Sequence, residues 1–594
     1  MTVRSKPLRV ANMSGYFGDR FEAARDLVER GDIDVLTGDY LAELTMLILW
    51  KLRQRDPAAG YAATFQRQIS KLLGTCLEKG VKIVTNAGGL NPRGLAEALA
   101  AQASELGLKP NIAFIDGDDV VNRLPEFLAS GHALAHLDTG RPFADLGREA
   151  VTANAYLGGW GIKEALDRGA DIVICPRVTD AALVVGPAAW AFGWSRDDWD
   201  QLAGAVVAGH VLECGAQTTG GNFSFFQEVP DGDLPGFPIG EIRADGSCVI
   251  TKTDGTGGLV SVDTVSAQVL YEIQGPRYAN PDVVTRFDTI RLSQEAPDRV
   301  LISGVKGEPA PSDAKVAINY VGGYRNEMTM VITGLDIEKK AALAERSLRM
   351  LWGDTPFETL EFDLWRSDRP DPRTNEEACA FLRVTVKDSD KARAGRTFSD
   401  AFVQAALSSY PGFFLTSPPG QASEYGVYWP ALVPAALIPH RVNLANGETI
   451  DVQSAPSGLA VEAAPAAASA RAELPAGGAM VEVPLGRLFG TRSGDKGGNA
   501  NIGVWAKDAA AFAWLDDFLT VERLQALLPD LAPFKVLRYP LPNLNAINFI
   551  VVGLLGEGVA SSTRMDRQAK GLGEYLGCKA IMAPEWLAAT KEQR

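Results

Sequence analysis

The sequence has no excess of basic residues and no long apolar run, and each absence excludes a class of partner. Its 594 residues include 73 acidic and 58 basic side chains, which give a net charge of −15 at pH 7. Because nucleic-acid binding requires a basic surface, we expect no nucleic-acid partner. The most apolar run, LTMLILW at residues 44–50, is far too short to span a bilayer. We therefore also expect no membrane partner.

Cysteines are few, and no two of them form a CxxC pair. The six are Cys76, Cys175, Cys214, Cys248, Cys379 and Cys578. Scattered cysteines in a chain of this length are typical of reduced thiols and not of a disulfide framework. The first residues, MTVRSKPLRVANMSGYFGD, lack the apolar segment of a signal peptide. We expect a cytoplasmic protein.

Several cofactor and nucleophile motifs are missing as well. No predicted strand ends in the GxGxxG of a dinucleotide fold, and GTRSGDKGG at residues 490–498 lacks the GK[ST] of a P-loop. There are four histidines and no GxSxG elbow, which argues against a Ser-His-Asp hydrolase. HALAH at residues 132–136 has no glutamate in the HExxH position. We expect no cofactor and no metal, although the acidic run IDGDD leaves Mg²⁺ ligation open as the less favoured alternative to a solvated turn.

The first 190 residues contain five β-prone runs, each followed by a helical stretch. The runs lie at residues 8–12, 33–37, 81–85, 111–116 and 170–175. Repeated βα units predict an α/β fold with a parallel sheet and helices on both faces. Ligands of such a sheet bind outside the carboxyl ends of its strands.

The rest of the chain divides into four parts that differ in composition. The glycine-rich, β-prone sequence at residues 205–335 predicts a β-rich part after the βα units at residues 1–204. Residues 336–453 again predict an α/β part. These three parts form the predicted domain 1–453. The Ala-, Pro- and Ser-rich stretch 454–479 predicts a linker. Residues 480–594 predict a small α+β domain.

Polar and small residues follow the predicted strands and are the first candidates for substrate binding. Asn91 and Pro92 begin a helix whose N-terminal N–H groups, with Arg93, suit an anion, and Arg177 suits a carboxylate. Asp39 and Glu43 lie four residues apart and share one face if the helix starts there. The candidates at the strand ends are Asn12, Ser14, Gly88, Gly89, Asn91, Arg93, Asp116, Arg177, Thr179 and Asp180.

The segment GHVLECGAQTTGGNF at residues 209–223 is the leading candidate for the chemical centre. It interleaves glycines with acid–base and amide side chains, which is unusual for a purely structural segment. Glu213 or His210 would act as acid or base, helped by Asp39. Gln217, Thr218 and Asn222 would supply hydrogen-bond donors to the substrate.

The segment GTRSGDKGG predicts a loop in which backbone N–H groups, Arg492 and Lys496 surround an anion. Asp495 lies beside them and makes the loop nearly neutral. The loop suits a weakly held anion or a contact between domains.

Taken together, these stretches resemble the acyclic terpene utilisation AtuA family. The likeness rests on SGYFGDR, LTGDYLAELTM, TNAGGLNPRGLAEAL, RVTDAALVVGP, ECGAQTTGGNF, DGTGGLV and RSGDKGGNANIG, and their number and order matter more than any one of them. The resemblance implies an AtuA N-terminal domain over the first ~450 residues and a ferredoxin-fold domain over the last ~115. It also implies a catabolic setting with branched acyl-CoA thioesters or related carboxylates.

Three functions follow as hypotheses. The favoured one is a catabolic lyase or hydratase acting on a branched acyl-CoA or carboxylate, with coenzyme A only as part of the substrate. The second is a thioester hydrolase or CoA transferase with a glutamate nucleophile, Glu213 or Glu272. The third is a non-catalytic scaffold subunit of a terpenoid pathway. We expect a homo-oligomer in each case.

Overall fold

The computed structural model describes residues 4–453 and 479–589. The described residues form two compact units, one built from residues 4–319, 428–453 and 479–589 and the other from residues 320–427. The predicted linker, apart from residue 479, lies outside the described residues.

Strands followed by helices occupy the first 190 residues, as the βα pattern predicts, and strands predominate from residue 238 to residue 308. The strands are β1 Leu8–Asn12, β2 Val35–Gly38, β3 Lys82–Thr85, β4 Ile112–Asp116, β5 Ala150–Ala155, β6 Ile172–Ile174, β7 Pro238–Ile242, β8 Cys248–Lys252, β9 Arg277–Ala279, β10 Val284–Arg286, β11 Arg291–Ala296, β12 Arg299–Ser303 and β13 Lys306–Glu308. The helices are α1 Glu22–Arg30, α2 Glu43–Arg55, α3 Ala63–Ile69, α4 Leu73–Lys79, α5 Pro92–Glu105, α6 Leu124–Ala129, α7 Trp160–Asp167, α8 Ala182–Phe192, α9 Trp199–Leu212 and α10 Val262–Val269.

The main sheet is mixed and not purely parallel, which corrects the predicted topology. Its centre is parallel, in the order β1-β2-β3-β6-β4, and these are the five predicted strands. On one side β7, β8, β12 and β11 continue the sheet in antiparallel pairs. The βα pattern of the sequence cannot predict these added strands, because antiparallel strands extend the edge of a sheet without a crossover helix.

Both faces of the parallel centre are covered by helices. Leu36, Ile83 and Ile172 pack with apolar residues of α1, α3, α4 and α5 in one buried cluster. The residues that alternate with them, such as Val35 and Val84, are equally buried, and α7 and α8 contact these strands. Because successive strand residues point to opposite faces, the continuous apolar runs of the sequence indicate this two-sided burial.

Helix α9 is the main difference from the predicted secondary structure. Its C-terminal half covers residues predicted to begin the β-rich part. The helix is buried along almost its whole length, so it lacks the polar face that normally signals a helix. Its glycines permit close packing: a Cβ on Gly209 would lie 2.7 Å from the Cα of Ala181. Gly209 therefore serves close packing within the fold and is not a sign of a β-rich segment.

The second unit contains its own sheet and two helices. Its elements are β14 Asp313–Thr333, which begins in the first unit, α11 Ile337–Trp352, β15 Thr359–Arg366, β16 Cys379–Asp388, α12 Phe398–Gln404, β17 Phe414–Leu415 and β18 Ser423–Pro434, which ends in the first unit. Strand β16 pairs antiparallel with β15 and β14. Met330, Leu348, Phe398 and Phe402 belong to its apolar core.

After the second unit the chain returns to the first. Strands β19 Arg441–Asn443 and β20 Thr449–Asp451 extend the main sheet beyond β4. The C-terminal part contains β21 Met480–Pro484, β22 Gly490–Lys496, β23 Asn499–Trp505, α13 Ala509–Phe518, α14 Val521–Leu527, β24 Val536–Leu541, β25 Ala546–Val551, α15 Leu572–Gly577, β26 Ala580–Pro584 and α16 Glu585–Ala589. Strands β22-β23-β25-β24 form an antiparallel sheet over a separate core. None of the helices in the described ranges has the length and apolar character needed to cross a membrane.

Candidate functional site

Arg177, just beyond β6, organises the carboxyl end of the parallel strands. Its backbone N–H donates to Asp118, and its Nη1 donates to the carbonyl of Leu41 at 3.1 Å and to Asp180 at 3.0 Å. Its guanidinium lies 4.4 Å from the ring centre of Tyr156. Three strand-end loops and the residue after β5 therefore meet at one buried cation.

Glu43, the first residue of α2, joins this group through Tyr156. The tyrosine hydroxyl donates to Glu43 at 3.0 Å, and the ammonium of Lys315, on β14, lies 5.1 Å from the Tyr156 ring centre. The second ring beside Lys315 is Tyr428 of β18, at 5.5 Å. A carboxylate, two phenols and an amine thus line one side of the site.

The C-terminal end of α9 contributes an acid–base pair. Nδ1 of His210 lies 3.1 Å from Oε1 of Glu213, although neither ring nitrogen makes an aligned hydrogen bond. Asn12 donates through its side-chain amide to the carbonyls of Leu212 and Glu213, at 3.1 and 2.8 Å. These bonds fix the end of α9 against β1, so Asn12 positions Glu213.

The hairpin of β22 and β23 lies against the main part of the first unit. Arg492 donates to the carbonyl of Asn222 at 2.9 Å and lies 4.5 Å from the Tyr271 ring centre. A Cβ on Gly494 would lie 2.4 Å from Cε2 of that tyrosine, so only glycine allows the strand to approach so closely. Lys496 ends β22 with its ammonium 5.8 Å from the Tyr278 ring centre.

The predicted loop at residues 490–498 is therefore a strand followed by a two-glycine turn. Gly497 has φ +63°, which glycine adopts without strain. The hydrogen bonds run from side chains to other parts of the chain and do not form a backbone nest. The segment makes the predicted contact between parts of the chain, and its binding of an anion stays a prediction.

The cations of the site differ in how firmly they hold their protons. Burial opposes the charge of Arg177, but Tyr156, Asp180 and Glu43 outweigh it and raise its pKa. The pKa of Lys496 is also raised, because Tyr278, Glu272 and Glu43 outweigh the effect of burial. Burial lowers the pKa of Lys315 to about 8, and Glu43 only partly offsets it. Of these three cations, Lys315 loses its proton first.

The carboxyl groups of the site also differ in the direction in which their pKa is shifted. Burial opposes ionisation of Glu43, but Lys315, Arg177 and Lys496 outweigh it and lower the pKa of Glu43 to about 2. Burial raises the pKa of the other acids of the site, reinforced by nearby carboxylates such as Asp180 near Asp39 and Asp495 near Glu272. These acids are Asp39, Glu213, Glu272 and, at about 7, Asp495.

This arrangement is suited to proton transfer next to a bound anion. Carboxyl groups whose pKa is raised keep their protons to higher pH than ordinary carboxyl groups and are candidates for acid–base roles. Arg177 and Lys496 stay charged and can hold a carboxylate or stabilise an enolate oxygen. Within the described ranges no group of three or more His, Cys, Asp or Glu side chains has the arrangement of a metal site.

Comparison with protein families agrees with this architecture. The sequence model described as acyclic terpene utilisation family protein AtuA matches residues 8–444, well over half of the chain. The chain belongs to the AtuA family. The AtuA ferredoxin-like domain matches residues 483–582, which confirms the ferredoxin-like fold predicted for the C-terminal part. No curated protein matches the chain.

In this AtuA-family chain, eight of the predicted site residues meet around the cations described above. They are Asp39, Arg177, Asp180, His210, Glu213, Arg492, Asp495 and Lys496. Asp39 precedes α2 and accepts a hydrogen bond from the side-chain amide of Asn86 at 2.7 Å. It does not share a helix face with Glu43, because α2 begins at Glu43 itself.

The predicted residues after β3 have local structural partners. Asn91 caps α5 by accepting from the N–H of Gly94 and donates to the carbonyl of Ala58, as the Asn-Pro sequence predicts. Arg93 lies over the Phe114 ring at 5.0 Å. A Cβ on Gly88 would lie 2.6 Å from the carbonyl oxygen of Cys175, and Gly89 has φ +50°. Anion binding by this turn stays a prediction.

The remaining predicted residues also make contacts within the fold. Ser14 donates to the Tyr16 carbonyl and Thr218 to the Val211 carbonyl. Asp116 accepts from Arg441 and Asn443 at 2.7 and 2.9 Å. Thr179 does not cap α8, whose N-cap is Ala181, and its hydroxyl is buried without a partner. The Oε1 of Gln217 is likewise buried without a partner, and Asn222 provides the carbonyl for Arg492.

Sequence reasoning missed the aromatic residues and the lysine that complete the site. Tyr156, Lys315 and Tyr428 come from segments between the quoted motifs. The one available signal was Lys315 itself, a basic residue at the start of the apolar run VAINYV. A lysine beside a largely buried strand has few structural reasons to be there.

Proposed function

We propose that this AtuA-family protein is an acid–base lyase or hydratase of acyclic terpene catabolism, acting on a branched acyl-CoA or carboxylate. The observation that carries the proposal is the set of carboxyl groups with raised pKa gathered around the firmly charged Arg177 and Lys496. Such a set provides proton transfer and anion stabilisation, the two requirements of reversible water addition to an activated double bond.

In the forward reaction Glu213 takes a proton from water as the water oxygen bonds to the β-carbon. The electrons of the double bond move to the α-carbon and the carbonyl oxygen, where Lys496 stabilises the negative charge. The α-carbon then takes a proton from a protonated carboxyl group, Glu272 or Asp39. His210, at 3.1 Å from Glu213, favours the ionised form of Glu213 and so prepares it to act as the base.

The experiment is mass spectrometry of a panel of branched 2-enoyl-CoA esters, with the matching free acids, after incubation with the purified full-length protein. A gain or loss of water supports the proposal. Release of free coenzyme A without hydration would replace it by the hydrolase or transferase hypothesis, with a glutamate nucleophile. No change in any compound would contradict it and favour the scaffold hypothesis.

A pair of variants links the activity to the site. Glu213→Gln keeps the size of the side chain but removes its charge, and we expect turnover to fall by at least ~100-fold with an unchanged circular dichroism spectrum. The matched control is Glu228→Gln, which removes an exposed glutamate that pairs with Lys507 at 2.7 Å. Full activity in Glu213→Gln would refute the assignment of the base.

A further inference from the structure

The proton-transfer scheme leaves one reactive group of the site unused, the amine of Lys315. The residue is partly buried on β14, and among the described residues no hydrogen bond or ion pair engages its Nζ. Its backbone is fixed, because its carbonyl accepts from the N–H of Tyr156 at 2.9 Å. A fixed lysine with an uncommitted amine is unusual where so many carboxylates are close.

The surroundings of Lys315 favour the neutral amine. The rings of Tyr156 and Tyr428 flank it at 5.1 and 5.5 Å and reduce its contact with water. Arg177 and Lys496 act against its positive charge, whereas Glu43 and Asp138 act in its favour. A lysine that is desolvated or close to other cations becomes a nucleophile near neutral pH.

We propose that Lys315 is a nucleophilic amine that forms an imine with an anionic carbonyl compound, such as an oxo acid. The flanking cations assign the chemical class: Arg177 and Lys496 keep their charge beside Lys315, so a carboxylate bound to them brings an adjacent carbonyl carbon to the amine. This activity goes beyond the hydration proposed above: its nucleophile, Lys315, takes no part in that scheme, although both reactions use Arg177 and Lys496 to hold the anion.

The step balances without an added reactant. The ammonium of Lys315 loses one proton, and its nitrogen lone pair forms a bond to the carbonyl carbon while the C=O π electrons move to oxygen. The oxygen takes up that proton together with a proton from the nitrogen and leaves as water. The product is a protonated imine, which draws electrons from the neighbouring carbon–carbon bonds. The ring centre of Tyr156 lies 5.1 Å from the reacting nitrogen, and the hydroxyl of this residue, which donates to Glu43 at 3.0 Å, can relay the proton.

The test traps the imine on the full-length protein. Glyoxylate and sodium cyanoborohydride are added at pH 7.5, and the modified lysines are identified by peptide mass spectrometry. At this pH a lysine of pKa about 8 has ~100-fold more neutral amine than an ordinary exposed lysine. We expect at least ~10-fold more adduct on Lys315 than on Lys339, which is 83% exposed, after allowing for lower nucleophilicity.

Two controls make each part of the proposal falsifiable. The Lys315→Arg variant keeps the charge and should lose the adduct while the rest of the lysine pattern is unchanged. Propionaldehyde, a neutral aldehyde, should label Lys315 several-fold less than glyoxylate does. Labelling that follows surface exposure and spares Lys315 would overturn the proposal, and equal labelling by the two aldehydes would overturn the anionic class. Neither result depends on whether the protein hydrates an enoyl-CoA.

Discussion

The buried carboxyl group of Asp118, which accepts a hydrogen bond from Arg177, allows a direct test of how burial shifts pKa values next to the site. It is 3% exposed, and one of its oxygens accepts hydrogen bonds from the side-chain amide of Asn154 at 2.7 Å and from the N–H of Arg177 at 3.2 Å. Burial, together with the charge of Asp119, raises its pKa from 3.8 to about 7. The variant Asp118→Asn keeps an oxygen for both donors and removes the charge.

The sign and size of the effect follow from linkage. The folded state binds the proton of Asp118 more tightly than the unfolded state does, so this group costs stability as the pH rises above 3.8, and the cost is complete above pH 7. With ~1.4 kcal/mol per pKa unit, the cost is ~4 kcal/mol at pH 8 and ~1.5 kcal/mol at pH 5. Asp118→Asn should therefore be more stabilising at pH 8 than at pH 5 by ~2.5 kcal/mol.

The assay is thermal unfolding of wild type and variant at pH 5, 6.5 and 8. We expect the Tm difference between variant and wild type to grow by a few degrees from pH 5 to pH 8, since ~1 kcal/mol corresponds to ~2 °C in large domains. The matched control is Asp231→Asn, which makes the same substitution at an exposed position. A Tm difference that is the same at all three pH values would refute the reasoning.

Three further changes test the positioning of the site. Asn12→Ala removes both hydrogen bonds that hold the end of α9, and denaturant unfolding should show a loss of ~1–3 kcal/mol in the free energy of unfolding. Because Glu213 is then displaced, kcat should change more than KM. An unchanged kcat would contradict the positioning role of Asn12. Gly494→Ala places a methyl group 2.4 Å from the Tyr271 ring and should weaken the contact of the hairpin. Limited proteolysis should therefore cut between the AtuA and ferredoxin-like parts faster than in wild type. Equal cleavage rates would contradict the importance of this contact. Arg177→Met leaves several carboxylates without their buried cation, and we expect the free energy of unfolding to fall by ~3 kcal/mol. The loss should be smaller at pH 5 than at pH 8, because carboxylates take up protons as the pH falls. A loss independent of pH would show that packing alone is responsible.

Much of the fold could be predicted because its signals are local. The five βα units are apolar runs followed by helix starts, and Asn91 caps α5 through its own side chain, three residues from its partner. Helix α9 was misread because it is buried on all sides, so no polar face marks its period. The antiparallel extension of the sheet depends on pairing between distant segments, such as β1 with β7, and no short stretch of sequence contains that information.

The site was predictable only where its residues lie in dense polar motifs. Glu213, Arg177 and Lys496 stand among glycines and other polar residues, and the structure brings them together. Tyr156, Lys315 and Tyr428 each stand alone in their segments, and their role arises from distances to residues more than 100 positions away, such as Glu43. Identifying them required the tertiary contacts.

The docked hairpin has a consequence for how the protein can be divided. Lys496 lies on the ferredoxin-like part, whereas the carboxylates that it influences, Glu43 and Glu213, lie on the AtuA part. A fragment ending at residue 453 would keep its acids but lose a cation that favours their ionised forms. Two separate polypeptides would therefore have to associate before the candidate site could form. Fusion into one chain makes the two parts available in equal number and keeps their local concentration high.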